Sequence, residues 1–188
     1  MTGFLLVISG PSGVGKGTIV NEIKKRRDDI VVSISVTTRY KRANEEDGRD
    51  YYFINEEKFN DMINNGELLE YANVHGNFYA TPRKFVEDNI AKGYIVVLEI
   101  DVQGAEQVRN NFNNTVNVFV IPPKKTDIEN RLRKRGTETE DKIKLRLENS
   151  IKELEQIKFY DYFLVNDYVD NATNKLEEII NEEREKRK

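Results

Sequence analysis

Short, unbroken apolar runs recur along the chain, and stretches of helical period separate them. Phe4-Leu5-Leu6-Val7-Ile8-Ser9 stops at Gly10-Pro11, and Tyr94-Ile95-Val96-Val97-Leu98-Glu99-Ile100, Val116-Asn117-Val118-Phe119-Val120-Ile121 and Tyr162-Phe163-Leu164-Val165-Asn166 follow. A strand that is apolar on both of its alternating faces is covered on both sides, which is the usual state of a parallel sheet. A helix is predicted from about residue 16, with Ile19, Val20 and Ile23 facing inward. Lys24-Lys25-Arg26-Arg27 closes it, basic residues at the negative end of the helix dipole. Ile143, Leu147, Ile151, Leu154 and Ile157 recur at spacings of three and four residues and predict one buried helix face. Leu176, Ile179 and Ile180 predict a terminal helix over 171–188 docked by a single stripe. Strands alternating with helices define an α/β layered fold, a parallel sheet flanked by helices.

Two zones break this alternation. The stretch from about 33 to 92 carries Asp50-Tyr51-Tyr52-Phe53 and a predicted helix over 56–65 stopped by Gly66. A hairpin then follows, with strands at 68–74 and 77–80 and a turn at His75-Gly76. Antiparallel pairing inside a parallel pattern suggests an inserted mixed α/β region. The second zone, 131–146, is dense in Arg and holds Gly136-Thr137-Glu138-Thr139, which reads as a flap between two helices.

Composition narrows the classes. The 188 residues suit one compact domain. The absence of Cys excludes disulfides and thiolate metal sites. With 30 basic and 33 acidic residues the net charge is −3, which argues against nucleic acid as a partner. The apolar runs are too short to span a membrane, and Met1-Thr2-Gly3-Phe4 reads as the start of the first strand, so a cytoplasmic location is expected. Monomer and homo-oligomer both remain compatible with the sequence.

Gly10-Pro11-Ser12-Gly13-Val14-Gly15-Lys16-Gly17-Thr18 lies between the first strand and the first helix. This is the context of a P-loop, in which backbone N–H groups and the helix N-terminus cradle phosphates and the Lys meets the β- and γ-phosphates. The strict pattern has Ser or Thr directly after the Lys. Here Gly17 takes that position and Thr18 follows, as in monophosphate kinases such as adenylate kinases. A dinucleotide fingerprint read from Gly13 fails, because Thr18 stands where its last Gly belongs. Farther on, Arg39 and Arg42 lie three residues apart among hydroxyls, with Tyr51 and Tyr52 nearby. Bidentate guanidiniums match phosphate geometry. A P-loop with a second phosphate clamp points to phosphoryl transfer between nucleotides.

The chain resembles the guanylate kinase family. The stretches that carry the resemblance are 10–18, 35–53, Leu69-Glu70-Tyr71, Gly76-Asn77-Phe78-Tyr79, Glu99-Ile100-Asp101-Val102-Gln103-Gly104, Arg135-Gly136-Thr137-Glu138-Thr139 and Val165-Asn166-Asp167, in family order. The resemblance implies a P-loop NTPase fold. Its core would span about 1–32, 93–126 and 147–188, with a GMP-binding region over about 33–92 and a small helical lid over about 127–146. It implies that Arg39, Arg42, Tyr51 and Tyr79 hold the GMP phosphate, that Ser35, Glu70, Thr81 and Asp101 surround the guanine, and that Asn166 meets the adenine of ATP. Lys16, Arg39, Arg131, Arg135 and Arg146 would neutralise the moving phosphoryl group. Thr18 and Glu99 are candidates for the Mg²⁺ side, through water. The division of labour between Glu99 and Asp101, metal or guanine, stays open. The implied substrates are ATP and GMP, with dGMP a second acceptor. The rivals are a sister kinase acting on AMP or UMP, and a non-catalytic domain that binds phosphopeptides. His75 is read as a turn residue, and Arg109 and Arg133 as surface residues.

Overall fold

The computed structural model describes residues 2–74, 76–135 and 140–188, with the side chains at 125, 131, 132, 134, 135, 141 and 142 outside that description. Five strands form an all-parallel sheet in the order β2 (Ile30–Val32), β7 (Ile95–Glu99), β1 (Phe4–Ser9), β8 (Thr115–Ile121), β9 (Tyr162–Val165). The central strand β1 is buried along its whole length, and its period of two sends alternate side chains into two cores. On one face Phe4, Leu6 and Ile8 meet Ile19, Val20 and Ile23 of α1 (Lys16–Arg26), with Leu176, Ile179 and Ile180 of α7 (Val169–Lys186). On the other, Leu5 and Val7 meet Val86 of α3 (Arg83–Ala91), with Ala105 and Val108 of α4 (Val102–Asn111). Each fully buried aliphatic side chain contributes roughly 1.5–3 kcal/mol, so these two faces hold the frame against which the site is built.

Four further strands, β4 (Tyr52–Phe53), β3 (Val36–Thr37), β6 (Asn77–Pro82) and β5 (Leu68–Val74), form a mixed sheet in that order. Its own small core joins Val36, Leu68 and Ala80 to Phe59 of α2 (Glu56–Asn64). Asn55 caps α2, accepting the Lys58 N–H at 2.9 Å, and Gly66 follows its end at φ 67°. This region is joined to the main body, since Leu69 of β5 and Val86 of α3 are in the second core of the large sheet.

The apolar stripe predicted over 143–157 holds only in part. Helix α6 (Glu140–Leu154) buries Ile143, whereas Ile151 is 52% exposed. A 3-10 turn over Glu155–Phe159 then takes Ile157 out of helical register. Arg133 of α5 (Lys125–Arg135) binds Glu129 and, at 2.6 Å, Glu140, tying α5 to α6. The flap tip at 136–139 and His75 lie outside the described residues. Among the described residues no helix is long and apolar enough to cross a membrane.

Candidate functional site

The phosphate loop follows from where β1 ends. Gly10 has φ 140°, and a Cβ there would collide with the Val120 carbonyl oxygen of the neighbouring strand β8, so the chain can leave the sheet at this point only as glycine. Gly15 closes the loop at φ 98° as the N-cap of α1, and no side chain caps the helix. The first-turn N–H groups of α1, with the positive dipole end behind them, therefore face the loop's interior. Lys16 curls back over it, with Nζ donating to the carbonyls of Gly10 at 2.7 Å and Pro11 at 3.2 Å. Ser12, Gly13, Gly15, Lys16, Gly17, Thr18 and Glu99 line a cavity of about 370 Å³ here. Asn166 is buried and its Nδ2 donates to the Val14 carbonyl at 2.7 Å, so this side chain braces the loop from the end of β9.

Glu153 also reaches this loop, and nothing in the sequence singled it out. It projects from the C-terminal turn of α6, and its Oε2 accepts the Ser12 N–H at 3.3 Å. Burial pushes its carboxyl above the usual range, against the pull of the Ser12 N–H and of Lys16. The helix that leaves the flap is thus in direct contact with the phosphate loop.

Arg39, Tyr51 and Tyr79, distant in the chain, come together, whereas Arg42 stays apart from them. Arg39 is 15% exposed in its side chain and stacks 5.5 Å from the Tyr51 ring and 5.7 Å from that of Phe53. Its Nε donates to the Tyr79 hydroxyl at 3.3 Å, and Tyr51 meets Tyr79 edge to face at 5.9 Å. The fork is already engaged. Arg39 Nη1 and Nη2 grip the two oxygens of Glu45 at 3.0 and 2.7 Å, a bidentate pair of the kind a phosphate would make. The Arg39 guanidinium, followed by the Arg42 N–H, holds the Glu45 carboxyl down at about 2. Arg42 is by contrast turned outward, with its side chain 71% exposed and Nη1 4.0 Å from Glu45. Glu45 escaped sequence reasoning because it sits in the run Glu45-Glu46-Asp47, where nothing marks one acid over another.

Glu70 of β5 is buried against α4. Its Oε1 accepts the Thr81 hydroxyl at 2.6 Å. A Cβ on Gly104 would stand only 2.9 Å from Glu70 Oε2, so the glycine of α4 is what lets the carboxylate sit against that helix. Desolvation pushes the Glu70 carboxyl up to about 7; the Thr81 hydroxyl bond opposes this and nearby Asp101 adds to it. Asp101 caps α4, its Oδ1 accepting the Gly104 N–H at 2.8 Å. Thr81 donates its proton to Glu70 here rather than pointing a donor into the pocket, so it acts through Glu70. Ser35 lies at the entry to β3, half-buried, its carbonyl accepting the Tyr52 N–H at 2.9 Å.

Of the predicted flap cations, Arg146 is half-buried on α6, where its charge acts on Glu153. Arg131 and Arg135 belong to α5, with side chains outside the described residues. Arg133 is on the surface as expected, but Arg109 is not: its guanidinium lies 5.0 Å over the Tyr160 ring, and its Nη1 is buried.

A parallel α/β sheet whose central strand ends in a glycine-rich loop capped by a helix N-terminus is the architecture of a P-loop nucleotide kinase. Residues 3–183 match the guanylate kinase family model. The chain is 48% identical to a guanylate kinase of Thermotoga maritima, covering 99% of this chain and 90% of that protein. It is 47% identical to one of Carboxydothermus hydrogenoformans, covering 99% and 91%. The crystal structure of guanylate kinase from Anaplasma phagocytophilum superposes with a TM-score of 0.75 at 36% identity, covering 97% of this chain and 86% of that one. The chain belongs to the guanylate kinase family.

Proposed function

We propose that the protein transfers the γ-phosphoryl group of ATP to GMP, and also to dGMP, giving ADP and the nucleoside diphosphate. The observation that carries the acceptor's identity is Glu70, a buried carboxylate held by Thr81, two residues along β6 from the Tyr79 that Arg39 bonds. Guanine presents two adjacent donors, N1–H and the exocyclic amine, and one carboxylate accepts from both. Adenine presents an acceptor at that edge and would leave the buried carboxylate unpaired.

Phosphoryl transfer needs positioning and charge neutralisation more than covalent help. On the donor side the loop N–H groups from Gly10 to Thr18 and the Lys16 ammonium would hold the triphosphate, with Asn166 keeping the loop in shape. On the acceptor side Arg39, Arg42, Tyr51 and Tyr79 would hold the GMP phosphate, the Arg39 fork exchanging Glu45 for phosphate oxygens. Ser35 and Asp101 would complete the guanine pocket around Glu70 and Thr81. Arg131, Arg135 and Arg146 would come over the transferring group as a lid over about 127–146 closes on a core of 1–32, 93–126 and 147–188 and an acceptor region of 33–92, excluding water. Mg²⁺ bound with ATP would supply positive charge against the phosphates. Thr18 and Glu99, oxygen donors in the loop cavity, suit such a cation, which takes few protein ligands and keeps waters and phosphates as the rest. A soluble cytoplasmic enzyme working on free nucleotides is part of this reading.

A coupled assay of ADP formation with ATP, Mg²⁺ and each of GMP, dGMP, AMP, CMP and UMP tests the reading. Turnover confined to GMP and dGMP is expected. Turnover with AMP or UMP would keep the kinase and discard the role of Glu70, and no turnover at all would favour a binding module. Arg39→Ala should raise the KM for GMP roughly 10–100-fold through loss of charge-assisted bonds, with the KM for ATP little changed. A defect confined to ATP would contradict the clamp.

A further inference from the structure

The loop assigned above to the triphosphate already carries a carboxylate of the chain itself. Glu153 reaches it from the last turn of α6, and its Oε2 accepts the Ser12 N–H. The contact marks one end of the loop. Lys16 Nζ bonds the carbonyls of Gly10 and Pro11, the two residues before Ser12, and in a phosphate loop this Lys meets the β- and γ-phosphates. The Ser12 N–H, Lys16 and Arg146, all groups that would serve the terminal phosphate, now act together on Glu153, against its burial and the charge of Asp101. The acceptor side shows the same substitution, the Arg39 fork gripping the two oxygens of Glu45. Glu153 also has somewhere to go. At 3.3 Å its bond to Ser12 is long. The residue lines a cavity of about 330 Å³ between α4 and α6 together with Gln103, Asn149, Lys152 and Gln156, which offer amide donors and an ammonium.

Resting on the kinase reading above, we infer that Glu153 stands in for the terminal phosphate of ATP: it fills this end of the loop while the donor site is empty, and the arriving γ-phosphoryl group displaces it toward the α4–α6 cavity. Two anions in one part-buried site repel each other, and only one of them can keep the Ser12 N–H. ADP ends one phosphate short of this contact, so its conflict with Glu153 is smaller. Glu153 therefore lowers the affinity for ATP more than that for ADP, and it sets the donor preference by charge.

The test measures binding of ADP and of a non-hydrolysable ATP analogue by calorimetry, with Mg²⁺ and without acceptor. The proteins are the unaltered protein, Glu153→Gln and Glu153→Asp. Gln keeps an oxygen for the Ser12 N–H and loses the charge. Affinity for the ATP analogue should rise about tenfold in this variant, and that for ADP by less than about threefold, since like-charge repulsion falls with distance. Asp keeps the charge one methylene farther back, and affinity for the analogue should stay within about threefold of the unaltered protein. A second measurement needs no variant: a crystal structure of the unaltered protein with the analogue should show Glu153 turned into the cavity between α4 and α6. No gain in Glu153→Gln, equal gains for both nucleotides, or a Glu153 that still accepts the Ser12 N–H beside the bound analogue would each overturn the inference and leave the residue a structural brace. Failure of the kinase reading would appear instead in the acceptor assay of the unaltered protein.

Discussion

Lys16→Ala lowers turnover by roughly 10²–10³-fold, the loss seen when one preorganised charge-stabilising donor is removed from a phosphoryl- or acyl-transfer site. The ammonium is the single point charge inside the loop, and its present partners, the carbonyls of Gly10 and Pro11 at 2.7 and 3.2 Å, hold it over the cavity mouth. Those carbonyls can return to water when the side chain goes, so the fold should survive. The residues proposed for the acceptor come from elsewhere, Glu70 from β5, Tyr79 and Thr81 from β6 and Arg39 from the loop after β3, and GMP binding measured without ATP should change by less than about twofold, as expected for sites with no shared contacts. Lys16→Arg should not restore the rate, because a planar fork does not fit where one compact donor reaches two carbonyls. Single-turnover ADP formation and calorimetric GMP binding separate the two halves of the expectation. Turnover within about threefold of the unaltered protein would remove Lys16 from the chemistry, since a donor of this kind carries far more.

The parallel sheet was legible because its central strands are buried on both faces and so have no polar alternation to blur them: every residue of β1 is buried, whereas the edge strand β9 leaves Phe163 and Val165 exposed. Strand β2 was missed because only Ile30-Val31-Val32 forms it, after Asp28-Asp29 and before Ser33, and its identity comes from pairing with β7. The phosphate loop was readable residue by residue, since its function lives in local backbone that glycines permit. Arg39 and Arg42 with Tyr51 stood out by residue type, whereas Tyr79 and Glu70 were singled out only through motif resemblance, because Arg39, Tyr51 and Tyr79 meet through a sheet that no local pattern predicts. Ile151 misled because helical period marks a face without saying whether anything covers it. Glu45 and Glu153 were invisible for a related reason: a carboxylate's importance here depends on what it faces, an Arg fork in one case and the Ser12 N–H in the other.

Glu70→Gln is expected to change specificity, pH dependence and stability together. The amide keeps an oxygen for the Thr81 hydroxyl but offers guanine one acceptor and one donor where two acceptors are needed. GMP kcat/KM should fall roughly 10²–10⁴-fold, the range for buried polar mismatches, while AMP, whose edge pairs with an amide, should gain. In the unaltered protein only the carboxylate form accepts both guanine donors, and the carboxyl sits at about 7 in the empty site. GMP affinity should therefore fall as pH drops below 7, by about tenfold per unit. The phosphate of GMP titrates in the same region, so the Glu70→Gln protein, which retains only that contribution, is the reference slope. For stability the sign is opposite. A carboxyl raised from 4.5 to about 7 binds its proton more tightly folded than unfolded, so stability is full below 4.5 and declines as pH rises to 7. The decline amounts to about 3 kcal/mol at roughly 1.4 kcal/mol per unit. Gln does not titrate, so at pH 8 the empty variant should melt several degrees higher than the unaltered protein, at roughly 2–4 °C per kcal/mol for a chain of this size, and the two should converge near pH 5. Parallel melting curves across that range would mean Glu70 is not held against its charge, and the energetic basis for guanine selection would have to lie in Ser35 or Asp101.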